Sequence, residues 1–374
     1  MLSSILRSIG DFNSYRDSLP SHVFIALSPW ADSMFDIGFR FVLKWINREI
    51  RSRLTIMQFG FCVRRDWPLS EAVSYAKYAD ALGYSSVWAN TAPYARDPFV
   101  ALNSIARETS NIELGTAIIE VRMRHPVTLI SSAATLWEST GRTVNLGIGD
   151  GDAPIENYGL ESKHPVQTIE EAIEIMKRLR DGKSENYEGG VFKLRDVKLL
   201  GLSNSQVKIL VGAHKKRMLE MSGEVADGII APKSSPQSMR ELTSTFYNSV
   251  EQHGRKRSDV SITMLVSMVI GPNREAALDT VRNISATHGS LMLAGIDRDT
   301  SNRMSNDRSL IPKELLSDIT IAGGVDDCAN EIKALESLGV NRLYLCYAPK
   351  RGEALDVTLE RQRQILKDIA EHFL

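Results

Sequence analysis

"RTVNLGIGDGDAP", residues 142–154, runs from an apolar stretch straight into glycines at positions 147, 149 and 151, with Asp150 and Asp152 set among them. A phosphate cradle, a dinucleotide turn and a plain tight turn after a strand all share that look. A dinucleotide fingerprint needs glycine at the sixth position counted from Gly147, and Asp152 stands there. "TVNLGIG" reads as a strand, and "VQTIEEAIEIMKRLRDG" after it as an amphipathic helix that closes on Gly182. The stretch is therefore the hinge of a strand–helix unit, and the flanking sequence decides what that unit belongs to.

The same alternation extends in both directions. Upstream, "QFGFCV", "YSSVWAN" and "IELGTAII" read as strands, each followed by a helix: "LSEAVSYAKYADALG", "DPFVALNSIARETS" and "HPVTLISSAATLWEST". Downstream, "VKILVGA", "DGIIAP", "VSITMLVSMVIG" and "RLYLCYA" read as strands with helices after them, ending in "TLERQRQILKDIAEHFL". "NYEGGVFKLRDVKLL" is a small excursion built on Gly189 and Gly190, and "GIDRDTSNRMSNDRS" a polar surface excursion or lid. Eight strand–helix units without a domain break predict a closed (β/α)8 TIM barrel over residues 57–374, in preference to an open doubly wound sheet. In a barrel the chemistry sits where strands hand over to helices, which puts the candidates at those strand ends.

The bulk composition narrows the classes of function. The chain has 374 residues, 43% hydrophobic and 24% charged, with a net charge of −1, which suits a globular protein and offers no basic footprint for nucleic acid. Cys62, Cys328 and Cys346 form no CxxC pair and suggest a reducing, cytoplasmic setting. Residues 1–56 are an N-terminal extension: an amphipathic helix on the barrel or a membrane surface, a partner-binding arm, or a start assigned too early. Asp36, Arg40, Lys44 and Arg48 break any membrane-length apolar run there, so no integral membrane segment is expected.

Several chemistries fail on spacing. "DGKS" at 181–184 follows a helix instead of opening one, and Lys177 holds the place of the first P-loop glycine. No GxSxG elbow occurs, and the seven histidines form no HxxxH pair, so no metal site is expected. The fifth strand ends differently. "VGAHKKRMLEMSGEVADG" puts Lys215, Lys216 and Arg217 at a helix start, where cations oppose the dipole unless an anion sits there. A phosphate seat and a solvated basic turn weigh equally on these residues. At the third strand's end, Glu120 reads as an acid–base group or as the surface partner of Arg122 or Arg124. His125 reads as a helix-entry residue before Pro126. Asn90 and Thr91 read as ring contacts or as caps of the next helix, and one of Asp150 and Asp152 must face solvent, a donor or a substrate.

Taken in order, "YSSVWAN", "DPFVALNSIARETSNIELGTAI", "RHPVTLISSAATLWESTGRTVNLGIGDGD", "LRDGKSENYEGGVFKL", "VGAHKKRMLEMSGEVADGII" and "IAGGVDDCANEIKALESLGVNRLYL" resemble the luciferase-like monooxygenase superfamily. Within it they are most similar to the coenzyme F420-dependent methylenetetrahydromethanopterin reductases, over nearly all of 57–374. The resemblance implies a luciferase-like barrel, usually dimeric, that binds F420 or FMN at the strand C-termini. It implies a cis peptide at Ala117–Ile118 behind the ring, ring clearance at Gly149 and Gly151, and a phosphate held by the fifth-strand turn, Gly212, Ala213, His214, Lys215 and Lys216. Many members read Gly-Pro where this chain has Lys215 and Lys216.

Cys62 replaces the first-strand glutamate of those reductases as a polar cofactor contact, and Asn90 and Thr91 replace an Asp-His pair. Asp152 keeps the family's acidic residue and, with Glu120, is the acid–base candidate; Asn90 and Thr91 complete the catalytic set. The implied activity is F420-dependent hydride transfer to or from a small organic substrate. An FMN-dependent monooxygenase and a non-catalytic flavin-binding barrel are the alternatives.

Overall fold

A computed structural model describes residues 57–92, 94–150, 158–160, 163–285, 288–349 and 352–374. The extension 1–56 lies outside the described residues, as do Gly151 and Asp152. The chain runs β1 (Gln58–Val63), α1 (Leu69–Leu82), β2 (Ser86–Asn90), α2 (Pro98–Glu108), β3 (Glu113–Ala117), β4 (Ile119–Glu120), α3 (Pro126–Thr140), β5 (Val144–Gly149) and α4 (Pro165–Arg180). It continues through the hairpin β6 (Glu185–Glu188) and β7 (Lys193–Val197) to β8 (Val207–Gly212), α5 (Lys216–Val225), β9 (Gly228–Pro232), α6 (Pro236–Gln252) and β10 (Ser261–Ile270). Then follow α7 (Arg274–Ile284), α8 (His288–Leu293), α9 (Arg298–Asn306), α10 (Lys313–Ile319), β11 (Thr320–Gly323), α11 (Val325–Ser337), β12 (Arg342–Leu345) and α12 (Leu355–Phe373).

Local chemistry explains the boundaries. Gly83 ends α1 in the left-handed region at φ 97, with its N–H returning to the Asp80 carbonyl, the usual glycine stop. Asp97 caps α2 by accepting from Phe99 and Val100 N–H, with Pro98 at the first helical position. His125 is the entry residue of α3, and its ring accepts from Val127 N–H at 3.3 Å.

Parallel pairing runs β1–β2–β3–β5–β8–β9–β10–β12 and returns to β1, with Gln58 opposite Arg342 and Gly228 opposite Ser261. The ring is thus a closed eight-stranded (β/α)8 barrel, as the alternation predicts. The polar stretch 295–309 departs from expectation: it is helical in α9, capped by Asp297, whose carboxylate accepts from Thr300 N–H at 2.9 Å. Only Ser301 of α9 is buried, so no apolar stripe marked it as a helix. β11 extends the sheet beside the last four residues of the long β10; four residues are too few to display a period.

Side-chain alternation splits the apolar residues into two sets. Outward residues pack under the helices. Inward residues form a separate cluster of Cys62, Trp88, Ala117, Leu210, Ile230, Tyr344 and Cys346. Trp88 fills the barrel interior: its ring stacks on Tyr344 at 5.3 Å, its indole N–H donates to Ser86 Oγ at 3.0 Å, and the Arg342 guanidinium lies 5.6 Å from its centre. Beneath it, Arg342 donates to Glu113 at 2.7 Å and Gln58 at 2.8 Å, and Asn145 donates to Glu113 at 2.9 Å. Glycine makes room for the indole. A Cβ on Gly115 would come within 2.5 Å of the Trp88 ring, and one on Gly60 within 2.9 Å of its nitrogen.

Gly115→Ala therefore lowers stability by about 1–3 kcal/mol through overpacking. In urea unfolding, the loss is smaller when the same change is made beside Trp88→Phe; equal losses in both backgrounds would refute the contact.

At the same N-terminal end of the strands, just before β9, Asp227 gathers Lys177 Nζ at 2.8 Å, Arg180 Nη1 at 2.9 Å and Ile209 N–H at 2.9 Å. Burial works to raise its pKa, but the two cations and the backbone donor hold the carboxyl below its usual value. A depressed folded-state pKa contributes stability that is full above the unfolded value of about 4 and lost as pH falls through the folded one. Asp227→Asn then costs roughly 3 kcal/mol at neutral pH. It also shrinks the fall in stability below about pH 4, as read from unfolding curves across pH.

Candidate cofactor and active site

Alternation and strand length together decide what reaches the barrel mouth. Cys62, Asn90, Ala117, Gly149 and Gly212 each hold the last inward position of β1, β2, β3, β5 and β8, so five sequence-predicted residues ring one opening. The floor of that opening is apolar: Ile118 and Leu265 pack on the inner cluster. The Ala117–Ile118 peptide is cis. Thr91, largely buried, donates its hydroxyl to the Ile118 carbonyl, and Arg65 Nη1 donates to the Thr91 carbonyl at 2.8 Å. Thr91 thus ties the end of β2 to the segment between β3 and β4 instead of capping α2, which Asp97 does.

Glu120 sits on β4 opposite Gly149 and is only 7% exposed. The surface-pair reading of this residue fails, because Arg122 goes to Asp150 at 2.8 Å and Arg124 to Asp97. Arg122 is itself largely buried and also reaches Thr168 Oγ1 at 2.9 Å, so it anchors the end of β5 to α4. Asp150 therefore faces a donor; Asp152 and Gly151 fall outside the described residues.

The turn after β8 has the other predicted character. Ala213 is buried and donates to the Ile230 carbonyl at 3.1 Å, while His214 is half-buried. Lys215, Lys216 and Arg217 are exposed, and α5 starts with no side-chain cap. A first turn of open N–H groups beside three cations suits an anion.

Two further groups stand at the mouth. Cys346, just past β12, is buried in the same inner cluster as Cys62, whose thiol donates to the Val63 carbonyl at 3.6 Å. The period-two run Arg342, Tyr344, Cys346 in "RLYLCYA" carried that signal. Arg308 joins them from the 3-10 turn Arg308–Leu310, donating to the carbonyls of Asn283 and Pro349. Burial and the charges of Arg64 and Arg361 lower its pKa, so cations crowd this rim. Arg64 pairs with Asp66 through two hydrogen bonds, at 2.9 and 3.1 Å. Partial burial opposes it, but that guanidinium holds the Asp66 carboxyl below the usual range. Among the described residues no three His, Cys, Asp or Glu side chains cluster to hold a metal, and no helix is long and apolar enough to cross a membrane.

A closed parallel barrel with an apolar mouth and an uncapped basic helix start after its fifth strand places the chain among the (β/α)8 barrel proteins. Residues 56–342 match the family described as Luciferase-like monooxygenase, and the chain belongs to that family. The 5,10-methylenetetrahydromethanopterin reductase of Archaeoglobus fulgidus is 26% identical over 307 residues, covering 77% of this chain and 92% of its own. In structure, the coenzyme F420-dependent tetrahydromethanopterin reductase of Methanopyrus kandleri superposes with a TM-score of 0.71 at 20% identity, over 85% of this chain and 98% of its own. The oxygenating constituent of 3,6-diketocamphane monooxygenase from Pseudomonas putida, in complex with FMN, superposes at 0.63 and 16% identity, over 85% and 98%. These relatives are oxidoreductases.

Removing the Thr91 hydroxyl leaves the half-buried Ile118 carbonyl without its donor. Thr91→Val is expected to cost about 1–3 kcal/mol in denaturant unfolding, against about 0.5 kcal/mol or less for Thr→Ser, which keeps the donor.

Proposed function

We propose that the chain is an oxidoreductase that uses coenzyme F420 to move a hydride to or from a small organic substrate. The observation that carries this reading is the pairing of an apolar floor, Trp88–Tyr344–Ile118–Leu265, with the uncapped, cation-rich start of α5 on the same rim. The residues fit such a group: a flat ring needs an apolar face, and an anionic tail needs donors and positive charge. Ala117, Ile118, Cys62 and the glycines at 149 and 151 would hold the ring. Gly212, Ala213, His214, Lys215 and Lys216 would hold the phosphate.

When bound, the deazaflavin supplies a two-electron hydride centre. The chain's own part is to exclude water over the floor, orient the ring and place an acid–base group. Glu120, buried at the end of β4, and Asp152 are assigned that last role, with Asn90 and Thr91 as ring or substrate contacts. A cytoplasmic homodimer, with residues 1–56 as an appended extension to a 57–374 barrel, completes the proposal by family resemblance.

Titration of the purified protein with F420 and with FMN, followed by absorbance and fluorescence, tests the reading. F420 binds the more tightly, and Lys215→Glu with Lys216→Glu weakens it about tenfold or more, a loss of roughly 1.4 kcal/mol or above. Unchanged affinity in the double variant removes the phosphate seat. Tighter FMN binding favours the oxygen-activating monooxygenase instead, and binding of neither cofactor favours a non-catalytic barrel.

A further inference from the structure

The two thiols at the mouth are arranged for chemistry that a hydride-transfer site does not use. β1 and β12 are parallel neighbours with Phe61 opposite Leu345, the last pair of the ladder, and Cys62 and Cys346 are the residues that follow on each chain segment. Alternation turns both side chains inward, following Gly60 and Tyr344. Neighbouring strands run about 4.8 Å apart, inside the Cα separation of about 4.4–6.8 Å that a disulfide spans. Both cysteines are buried and belong to the inner apolar cluster.

We propose that Cys62 and Cys346 form a hydroperoxide-reactive dithiol that closes to a disulfide across β1 and β12. Cys346 is the attacking sulfur. The neighbouring Cys62 thiol and the charges of Arg64 and Arg65 favour its thiolate against the opposing effect of burial, whereas the buried Cys62 gives its S–H to the Val63 carbonyl at 3.6 Å and is held protonated. The thiolate attacks the distal peroxide oxygen, the O–O bond breaks, and the leaving oxygen departs as hydroxide (alkoxide from an organic peroxide). Cys346 is then a sulfenic acid. The Cys62 sulfur attacks Cys346 Sγ, its proton goes to the departing hydroxyl, and water leaves. In sum, two thiols and one peroxide give one disulfide and two waters, or one water and one alcohol. The thiols lose two electrons and the O–O bond gains them. Each cysteine is only 5% exposed, so the oxidant proposed is a small hydroperoxide.

The third cysteine supplies the contrast. Cys328 lies in the outer core, its sulfur 3.8 and 3.9 Å from the carbonyls of Val269 and Gly323. Burial, with Asp327 and Glu331 adding to it, pushes its thiol up to about 12. It has the burial without a partner thiol, and the neighbouring carboxylates outweigh the charge of Arg274. The reaction needs no bound F420.

The test treats the full-length protein with hydrogen peroxide, blocks remaining thiols with N-ethylmaleimide and maps the peptides by mass spectrometry. The expected product is a dithiothreitol-reversible link between the peptides of Cys62 and Cys346, formed about tenfold faster than any oxidation of Cys328. In Cys62→Ser the sulfenic acid on Cys346 has no resolving thiol and is trapped by dimedone; in Cys346→Ser no dimedone adduct forms on Cys62. Should either variant fail to fold, the wild-type link and its rate against Cys328 still decide. Recovery of both thiols as maleimide adducts after peroxide, or oxidation of Cys328 at an equal rate, would overturn the proposal.

Discussion

The indole of Trp88 is the packing constraint on which the rest of the barrel depends. A closed eight-stranded barrel must be filled by its own inward side chains, and here one large ring does most of the filling. Gly60 and Gly115 flank it because no Cβ fits beside the ring, and Tyr344 stacks on it. Burying about 200 Å² of indole removes roughly 5 kcal/mol worth of apolar surface from water. The polar layer beneath, Arg342 with Glu113, Gln58 and Asn145, closes the far side. Among the described residues, the barrel interior below the indole is thus filled by the chain's own side chains.

That plug also determines what lines the mouth. With Trp88 and Tyr344 occupying the interior, the next inward positions belong to Cys62, Asn90, Ala117 and Cys346. These are small enough to leave a shallow, mostly apolar floor beneath a rim of cations. Simple alternation thus brings the last inward residues of the strands together at the mouth.

Much of this arrangement was legible in the sequence. Eight strand–helix alternations carried the barrel, and glycine and capping residues such as Gly83 and Asp97 marked helix ends within a residue or two. Residue-by-residue resemblance located the Ala117–Ile118 peptide. Other features were hidden for physical reasons. The burial of Glu120 depends on a two-residue strand pairing with β5, and the ion pairs Arg122–Asp150 and Arg124–Asp97 join segments 27 or more residues apart. Arg308 reaches the mouth from a polar stretch whose helix shows no apolar stripe. The Cys62–Cys346 contact arises only because closure makes the first and last strands neighbours. Cysteine spacing along the chain contains no trace of it.

The central claim is that the plugged barrel offers a ring floor and a phosphate seat on one rim. A crystal structure of the protein grown with coenzyme F420 tests it most directly. The account predicts ring density over Ile118 and Leu265, above Trp88, with the phosphate at the first turn of α5 beside Lys215 and Lys216. Density for the ring away from that floor, or for the phosphate at another strand end, would contradict it.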